Sequence, residues 1–166
     1  YGAAKAALEA FVQSWGLGEG WGITAIRPTG VYGLVAPAEK SKWFDLVSAA
    51  LRGEPVAARC GSEVHGRDVA DAIWRLLQAG QAHVAGRMFN CSDILVSTRD
   101  IVRLVHRAAG IRGPLPEIAP EPKAIMDCAG LKQLGVQFGG WPLFESTIAQ
   151  LVAAAEANRA ARSRRA

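Results

Sequence analysis

The sequence predicts an α/β fold, and three observations carry that expectation. Apolar residues recur at helical spacing in five or six stretches, two short runs between them have strand character, and the first of these runs, Ile23-Thr24-Ala25-Ile26, is β-branched and without alternation. A run of that kind suits a buried parallel strand, which normally lies between other strands and is covered on both faces. With only two strands expected, the sheet is too small to stand alone.

The elements follow in order. Ala4, Ala7, Leu8, Phe11, Val12 and Trp15 keep the i, i+3, i+4, i+7 rhythm of an amphipathic helix, which the glycines at 16, 18, 20 and 22 stop. The strand 23–26 ends at Arg27-Pro28, where proline removes a ladder donor. Trp43, Leu46, Val47, Ala50 and Leu51 form a second helical stripe closed by Gly53; Val69, Ala72, Ile73, Leu76 and Leu77 form a third closed by Gly80, with Asp68 placed to cap it. Met88-Phe89-Asn90-Cys91 reads as a brief strand. Ser97-Thr98-Arg99-Asp100 resembles a capping box that opens a fourth helix through Ile101, Leu104, Val105 and Ala108, ended by Gly110. Residues 113–122 hold four prolines and read as an extended connector. A small helical region spans 124–134, and a last helix starts near Pro142 and runs through Ile148, Leu151, Val152 and Ala155.

Composition narrows the function classes. The net charge of +4 comes from Arg159, Arg162, Arg164 and Arg165, so residues 1–158 sum to zero and offer no basic footprint for nucleic acid. Residues 156–166 read as a basic, disordered tail behind a single folded region at 1–155. Cys60, Cys91 and Cys128 are too few and too scattered for a disulfide framework or a zinc site, which suits reduced thiols and the cytoplasm. No metal is expected. No run of 18 apolar residues suggests a membrane span.

Tyr1 and Lys5 stand four apart on one helix, hence on one face and one turn apart. A free phenol ionises near pH 10, about, and a neighbouring ammonium favours the phenolate, so the pair is suited to proton transfer. The two residues alone are a weak signal. The segment Tyr1-Gly2-Ala3-Ala4-Lys5-Ala6-Ala7 with Glu9, however, resembles the active-site helix of short-chain dehydrogenases/reductases, and Arg27-Pro28-Thr29-Gly30-Val31-Tyr32-Gly33 resembles their next strand and loop. His65-Gly66-Arg67-Asp68-Val69-Ala70-Asp71-Ala72-Ile73, Phe89-Asn90-Cys91-Ser92-Asp93, and Leu134-Gly135 with 143–145 resemble, in the same order, later landmarks of the extended, epimerase/dehydratase subfamily.

That resemblance covers residues 1–155. It implies the second half of a Rossmann-type doubly wound parallel sheet plus a small substrate-binding lobe, with the N-terminal nucleotide-binding half absent. It also implies an NAD(P)-dependent epimerase/dehydratase or a carbonyl/alcohol oxidoreductase, using NAD or NADP. Tyr1 would exchange a proton with the substrate oxygen, and Lys5 would assist it and hold the nicotinamide ribose. Pro28, Thr29, Gly30 and Val31 would present backbone groups to the carboxamide. Arg59 and Arg67 are candidate substrate contacts, since arginine can pair a phosphate or carboxylate bidentately, with a solvated surface role as the alternative. His65 and Asp68 look like an acid/base couple, but the resemblance makes them helix-entrance residues with capping and packing roles. A homodimer formed through the Tyr-Lys helix is implied, although the stripe from Ala4 to Trp15 suits a core equally well.

Two departures bear on substrate. Members acting on nucleotide sugars often carry an asparagine where Gly30 stands and an arginine where Gly61 stands, both gripping the diphosphate; their absence here argues against a nucleotide-sugar substrate and leaves open a smaller carbonyl or alcohol compound, or another sugar. No glycine-rich strand-turn-helix that could cradle a pyrophosphate occurs in these 166 residues, nor the upstream serine or threonine of the family. The chain alone is therefore expected neither to hold the dinucleotide tightly nor to turn over. The rival reading is a non-catalytic NAD(P)-sensing or scaffolding relative, against which the joint presence of Tyr1 and Lys5 argues.

Overall fold

The computed structural model describes residues 1–164, and among them the chain folds into two units that interleave along the sequence. The first comprises Tyr1–Thr29, Arg67–Ser92 and Met126–Phe138; the second comprises Gly30–Gly66, Asp93–Ile125 and the described residues from Gly139. Each unit is built from segments far apart in the chain.

In the first unit, helix α1 (Gly2–Gln13) runs on into a π-helical turn at Ser14–Gly18. The glycine-rich stretch does end the helical run, at Gly18, two residues past the first glycine, and Gly16 is buried within the turn. Strand β1 (Ala25–Pro28) pairs in parallel with a strand at Met88–Cys91, from Ala25 opposite Met88 to Pro28 opposite Cys91. β1 therefore lies two residues later than the β-branched run. Proline is tolerated as its last residue because only one edge of β1 is paired among the described residues, so a missing donor breaks no second ladder. Neither is β1 the buried strand that its composition suggests: its residues are half-buried or exposed.

The second unit holds a mixed three-stranded sheet in the order β2 (Gly30–Tyr32), β3 (Cys60–His65), then a strand at Ile94–Ser97. The first pair is parallel and the second antiparallel. None of these three strands is legible as a period-two pattern, since β2 is three residues long and β3 reads Cys-Gly-Ser-Glu-Val-His. Helix α2 (Phe44–Leu51) lies between β2 and β3 in sequence. Helix α3 (Gly66–Gln78) follows β3 directly and, from Arg67 onward, belongs to the first unit. Because α3 begins at Gly66, Asp68 sits inside its first turn rather than at its cap, buried and 3.5 Å from the Arg67 Nε. A carboxylate there still suits the positive end of the helix dipole.

The rest of the first unit is α4 (Gln81–Val84), β4 (Met88–Cys91) and, after the proline-rich connector, α6 (Ala129–Gln133), which is shorter than the 124–134 expectation. The second unit adds β5 (Ile94–Ser97), α5 (Thr98–Ala109) and α7 (Gly140–Ser163). Its core is one cluster in which Phe44 and Val47 of α2, Ile101 and Val105 of α5, and Phe144, Ile148, Leu151 and Val152 of α7 are buried together. Burying one such side chain contributes roughly 1.5–3 kcal/mol. Tyr32, Trp43 and Trp141 pack their rings on Phe144 at centroid distances of 5.8, 5.8 and 5.2 Å.

The basic tail expected at 156–166 is helical as far as Ser163. Helix α7 continues to Ser163, consistent with the high helix propensity of its alanine-rich stretch, and Ala155 is still buried there. Arg165 and Ala166 lie outside the described residues. No helix among the described residues is long and apolar enough to cross a membrane.

The capping box that opens α5 is present as expected. Ser97 accepts from the Asp100 amide at 3.1 Å, and the Asp100 carboxylate accepts from the Ser97 amide at 3.3 Å. Gly110 closes the helix in the left-handed region at φ 64°. Replacing Ser97 by alanine is expected to lower unfolding stability by about 1 kcal/mol, measured as a lower urea midpoint with an unchanged slope. An unchanged midpoint would mean that the cap contributes nothing.

Candidate active site

The structure brings Tyr1 and Lys5 together. Tyr1 is the N-cap of α1, the Lys5 amide donates to the Tyr1 carbonyl at 3.2 Å, and the Lys5 ammonium lies over the Tyr1 ring, 5.4 Å from its centroid. Both side chains are exposed, Tyr1 at 99%. No residue of α1 is buried, and Leu8 and Phe11 are 58% and 53% exposed, so packing alone does little to hold this helix.

What ties it to the sheet is polar. Glu9, one turn beyond Lys5, grips Arg27 of β1 with both carboxylate oxygens, at 2.6 Å to Nε and 2.5 Å to Nη2. Arg27 reaches on to the Asn90 Oδ1 of β4 at 3.5 Å, and the Asn90 amide donates to the Asp127 carbonyl at 3.0 Å. A fork-to-fork arginine–carboxylate pair fixes geometry as well as distance. The hydrogen bond to Arg27 is the main reason that the Glu9 carboxyl is held below its ordinary range and, reciprocally, that Arg27 is raised.

Pro28 and Thr29 leave β1 at its carboxyl end, the side on which ligands bind in open α/β sheets. The Thr29 amide donates to the Cys91 carbonyl at 3.0 Å, and its hydroxyl lies 3.4 Å from that of the buried Ser92. Gly30 and Val31, the rest of the expected cofactor loop, open β2 in the second unit.

The second unit contains its own cavity, of about 590 Å³. Its walls are mostly apolar, with Trp43, Leu46, Val56, Val96 and Ile101 among them, and its polar groups include Lys42, Arg59, Cys60 and Glu63. Lys42 and Glu63 form a close ion pair, and the Lys42 ammonium also lies over the Trp43 ring at 5.1 Å. Burial pushes the Glu63 carboxyl up and outweighs the opposing pull of Lys42. Burial also pushes the Cys60 thiol up, assisted by the negative charges of Glu121 and Asp100.

Of the two arginine candidates, Arg59 lines this cavity. Arg67 belongs to the first unit, pairs with Asp68 and is not among the lining residues. His65 packs edge-on against Tyr32 at 5.1 Å, in keeping with a packing role. Sequence reasoning passed over Lys42, Trp43 and Glu63. The one available signal was a glutamate in a run that turns out to be a strand, where a charged residue near the apolar Val64 calls for a partner. No group of histidine, cysteine and carboxylate side chains that could hold a metal occurs among the described residues.

The sequence profile of the NAD dependent epimerase/dehydratase family matches residues 1–92, and the chain belongs to that family. No curated protein matches it. Among solved structures it is similar to RMD from Pseudomonas aeruginosa in complex with NADPH (17% identity, TM-score 0.69, 94% of this chain and 55% of that one). It is also similar to UDP-glucose 4-epimerase from Thermotoga maritima with UDP-glucose (21%, 0.69, 95% and 53%). A third is UDP-glucuronic acid 4-epimerase from Bacillus cereus with UDP-glucuronic acid and NAD (16%, 0.70, 94% and 52%). At these identities the likeness shows the fold, and the α/β expectation with parallel pairing stands. The chain spans about half the length of these structures.

Glu9 supplies a test of the polar tether. Because its folded pKa is lowered, its contribution to stability is present above the ordinary glutamate value of about 4.3 and is lost as pH falls through the lower folded value. Glu9→Gln is therefore expected to reduce the melting temperature slightly at pH 7, by the modest amount typical of an exposed ion pair. The difference should close under acid conditions, and a difference independent of pH would assign the effect to something other than the charge.

Proposed function

We propose that these residues belong to an NAD(P)-dependent oxidoreductase or epimerase/dehydratase in which Tyr1 is the acid/base and Lys5 assists it. One observation carries the reading: in a chain of this family, a phenol and an ammonium share one face of a helix, with the cation over the ring. When bound, the nicotinamide supplies a hydride donor or acceptor at its C4.

The donor set fits that cofactor. An exposed phenol and an exposed ammonium, one turn apart, can both hydrogen-bond ribose hydroxyls. Tyr1 then passes a proton to or from the substrate's carbonyl or hydroxyl oxygen while Lys5 keeps a positive charge beside it. Glu9 and Arg27 hold the helix in register with β1. In the segment 28–31, Pro28 has no N–H and that of Thr29 is engaged by the Cys91 carbonyl.

The second unit serves as the substrate-binding lobe, with Arg59 at its cavity and a sugar or other carbonyl or alcohol compound as substrate; an epimerase of similar fold was solved with UDP-glucose. The sheet of the first unit continues in strands outside this chain, which supply the glycine-rich loop and the active-site serine or threonine. Support for that comes from the two-stranded sheet and from the exposure of Ile73, Trp74 and Leu77 at 43%, 61% and 71% on α3. The exposed stripe of α1 is where a homodimer forms, and the three free cysteines suit the cytoplasm.

In the intact protein, Tyr1→Phe is expected to lower turnover by about a hundredfold to ten-thousandfold while NAD(P)H binding, followed by fluorescence, stays as in the wild type. Undiminished turnover would remove Tyr1 from the chemistry. An intact wild-type protein that binds the dinucleotide but oxidises and reduces nothing would favour the sensor instead.

A further inference from the structure

The corner formed by Gly30, Lys42, Gly61 and Glu63 is unlike the rest of the second unit. A Cβ built on Gly30 collides with the Glu63 carboxylate and the Lys42 ammonium, so the ion pair fills the space that a side chain at 30 would take. On its other side, the Glu63 Oε1 lies 3.9 Å from where a Gly61 Cβ would sit, with nothing else within 4 Å. Two glycines thus flank one carboxylate, and one of them leaves open space beside it.

The surroundings decide what that space can accept. Lys42 is engaged twice, by Glu63 and by the Trp43 ring, so its charge is already answered. Trp43 itself adopts a left-handed backbone at φ 71°, a conformation unfavourable for a residue with a Cβ. It is held there by stacking on Tyr32 at 5.2 Å and by Phe144, and the indole lines the cavity. Glu121 and Asp100 add negative charge near Cys60 on the cavity wall. A dianion placed at this corner would meet the Glu63 carboxylate with Lys42 already engaged; Arg59, the other cation on the cavity wall, is not among the groups at the two glycines. A neutral hydroxyl meets an acceptor and a donor side by side.

We propose that Lys42 and Glu63 are specificity-determining residues of this cavity, which takes an uncharged ligand with an apolar body and a hydroxyl or vicinal diol, and discriminates against nucleoside diphosphates. The apolar walls receive the body, and the Glu63 carboxylate accepts from the hydroxyl while the Lys42 ammonium donates to it. A cavity of about 590 Å³ suits a molecule of that kind. This deepens the oxidoreductase reading by naming a substrate class. It rests on that reading only for the term substrate, since the binding itself requires neither cofactor nor turnover.

The test uses the intact protein and two probes, 1-phenylethane-1,2-diol and UDP, each titrated by ligand-observed NMR without dinucleotide. The wild type is expected to bind the diol and to bind UDP more weakly by about tenfold or more. Lys42→Met combined with Glu63→Leu removes both charges at similar volume and should cut diol affinity by about tenfold or more. Glu63→Gln, which keeps the shape and frees the Lys42 charge, should raise affinity for UDP. Far-UV circular dichroism checks that each variant folds, and if the double variant does not, the Glu63→Gln result decides. UDP binding as tight as that of the diol in the wild type, binding of neither probe, or affinities unmoved by the variants would overturn the proposal. A separate NADH titration keeps the two readings apart: lost dinucleotide binding with intact, Glu63-dependent diol binding sinks the oxidoreductase and leaves this proposal standing.

Discussion

The two-pronged grip of Glu9 on Arg27 is the interaction on which the candidate chemistry depends. Helix α1 buries none of its residues, so its apolar stripe does not locate it against the sheet. A carboxylate on the helix and a guanidinium on β1 do so instead, and Asn90 carries the connection to β4. The arrangement is oriented as well as close. Because Tyr1, Lys5 and Glu9 are spaced by one helical turn each, fixing the third sets the azimuth of the first two. The proposed proton-transfer pair is thereby positioned by a residue that need not take part in proton transfer at all.

The second unit solves a different problem. Its helices α2, α5 and α7 share a continuous apolar core, and the aromatic cluster of Tyr32, Trp43, Trp141 and Phe144 stiffens one end of it. That rigidity is what allows Trp43 to be kept in an unfavourable backbone conformation and Lys42 beside it to be aimed at Glu63. Strain at a single residue persists where its neighbours over-determine it, and here the neighbours are rings that can be placed in only a few ways.

The legible parts of the sequence were those governed by local chemistry. Ser97 and Asp100 announce the start of α5, Gly110 its end, and the spacing of Tyr1, Lys5 and Glu9 places all three on one face, because caps and helical periodicity are properties of a few adjacent residues. The strands β2, β3 and β5 were not legible. Gly30-Val31-Tyr32 is too short to show alternation, and Cys60-Gly61-Ser62-Glu63 becomes a strand by pairing with residues more than thirty positions away. Tertiary pairing overrides weak propensity in such segments. The Lys42–Glu63 pair was hidden for the same reason, since neither residue's partner can be read without the fold. The end of α7 went the other way: alanine-rich sequence continues a helix beyond the point where its apolar face runs out, so the lack of a stripe was a poor guide to disorder.

Gly16 and Gly86 meet where the π-helical turn crosses the loop before β4. A Cβ on Gly16 would strike the Gly86 backbone, and one on Gly86 would press on Leu17 at 2.6 Å, with Gly86 already at φ 67°. Two chain segments seventy residues apart in sequence therefore touch backbone to backbone, and each glycine is the condition for the other's position. Neither can drift independently: enlarging one cannot be offset by shrinking its neighbour, which is already as small as a residue can be. The crossing therefore acts as a fixed pivot between the end of α1 and the start of β4.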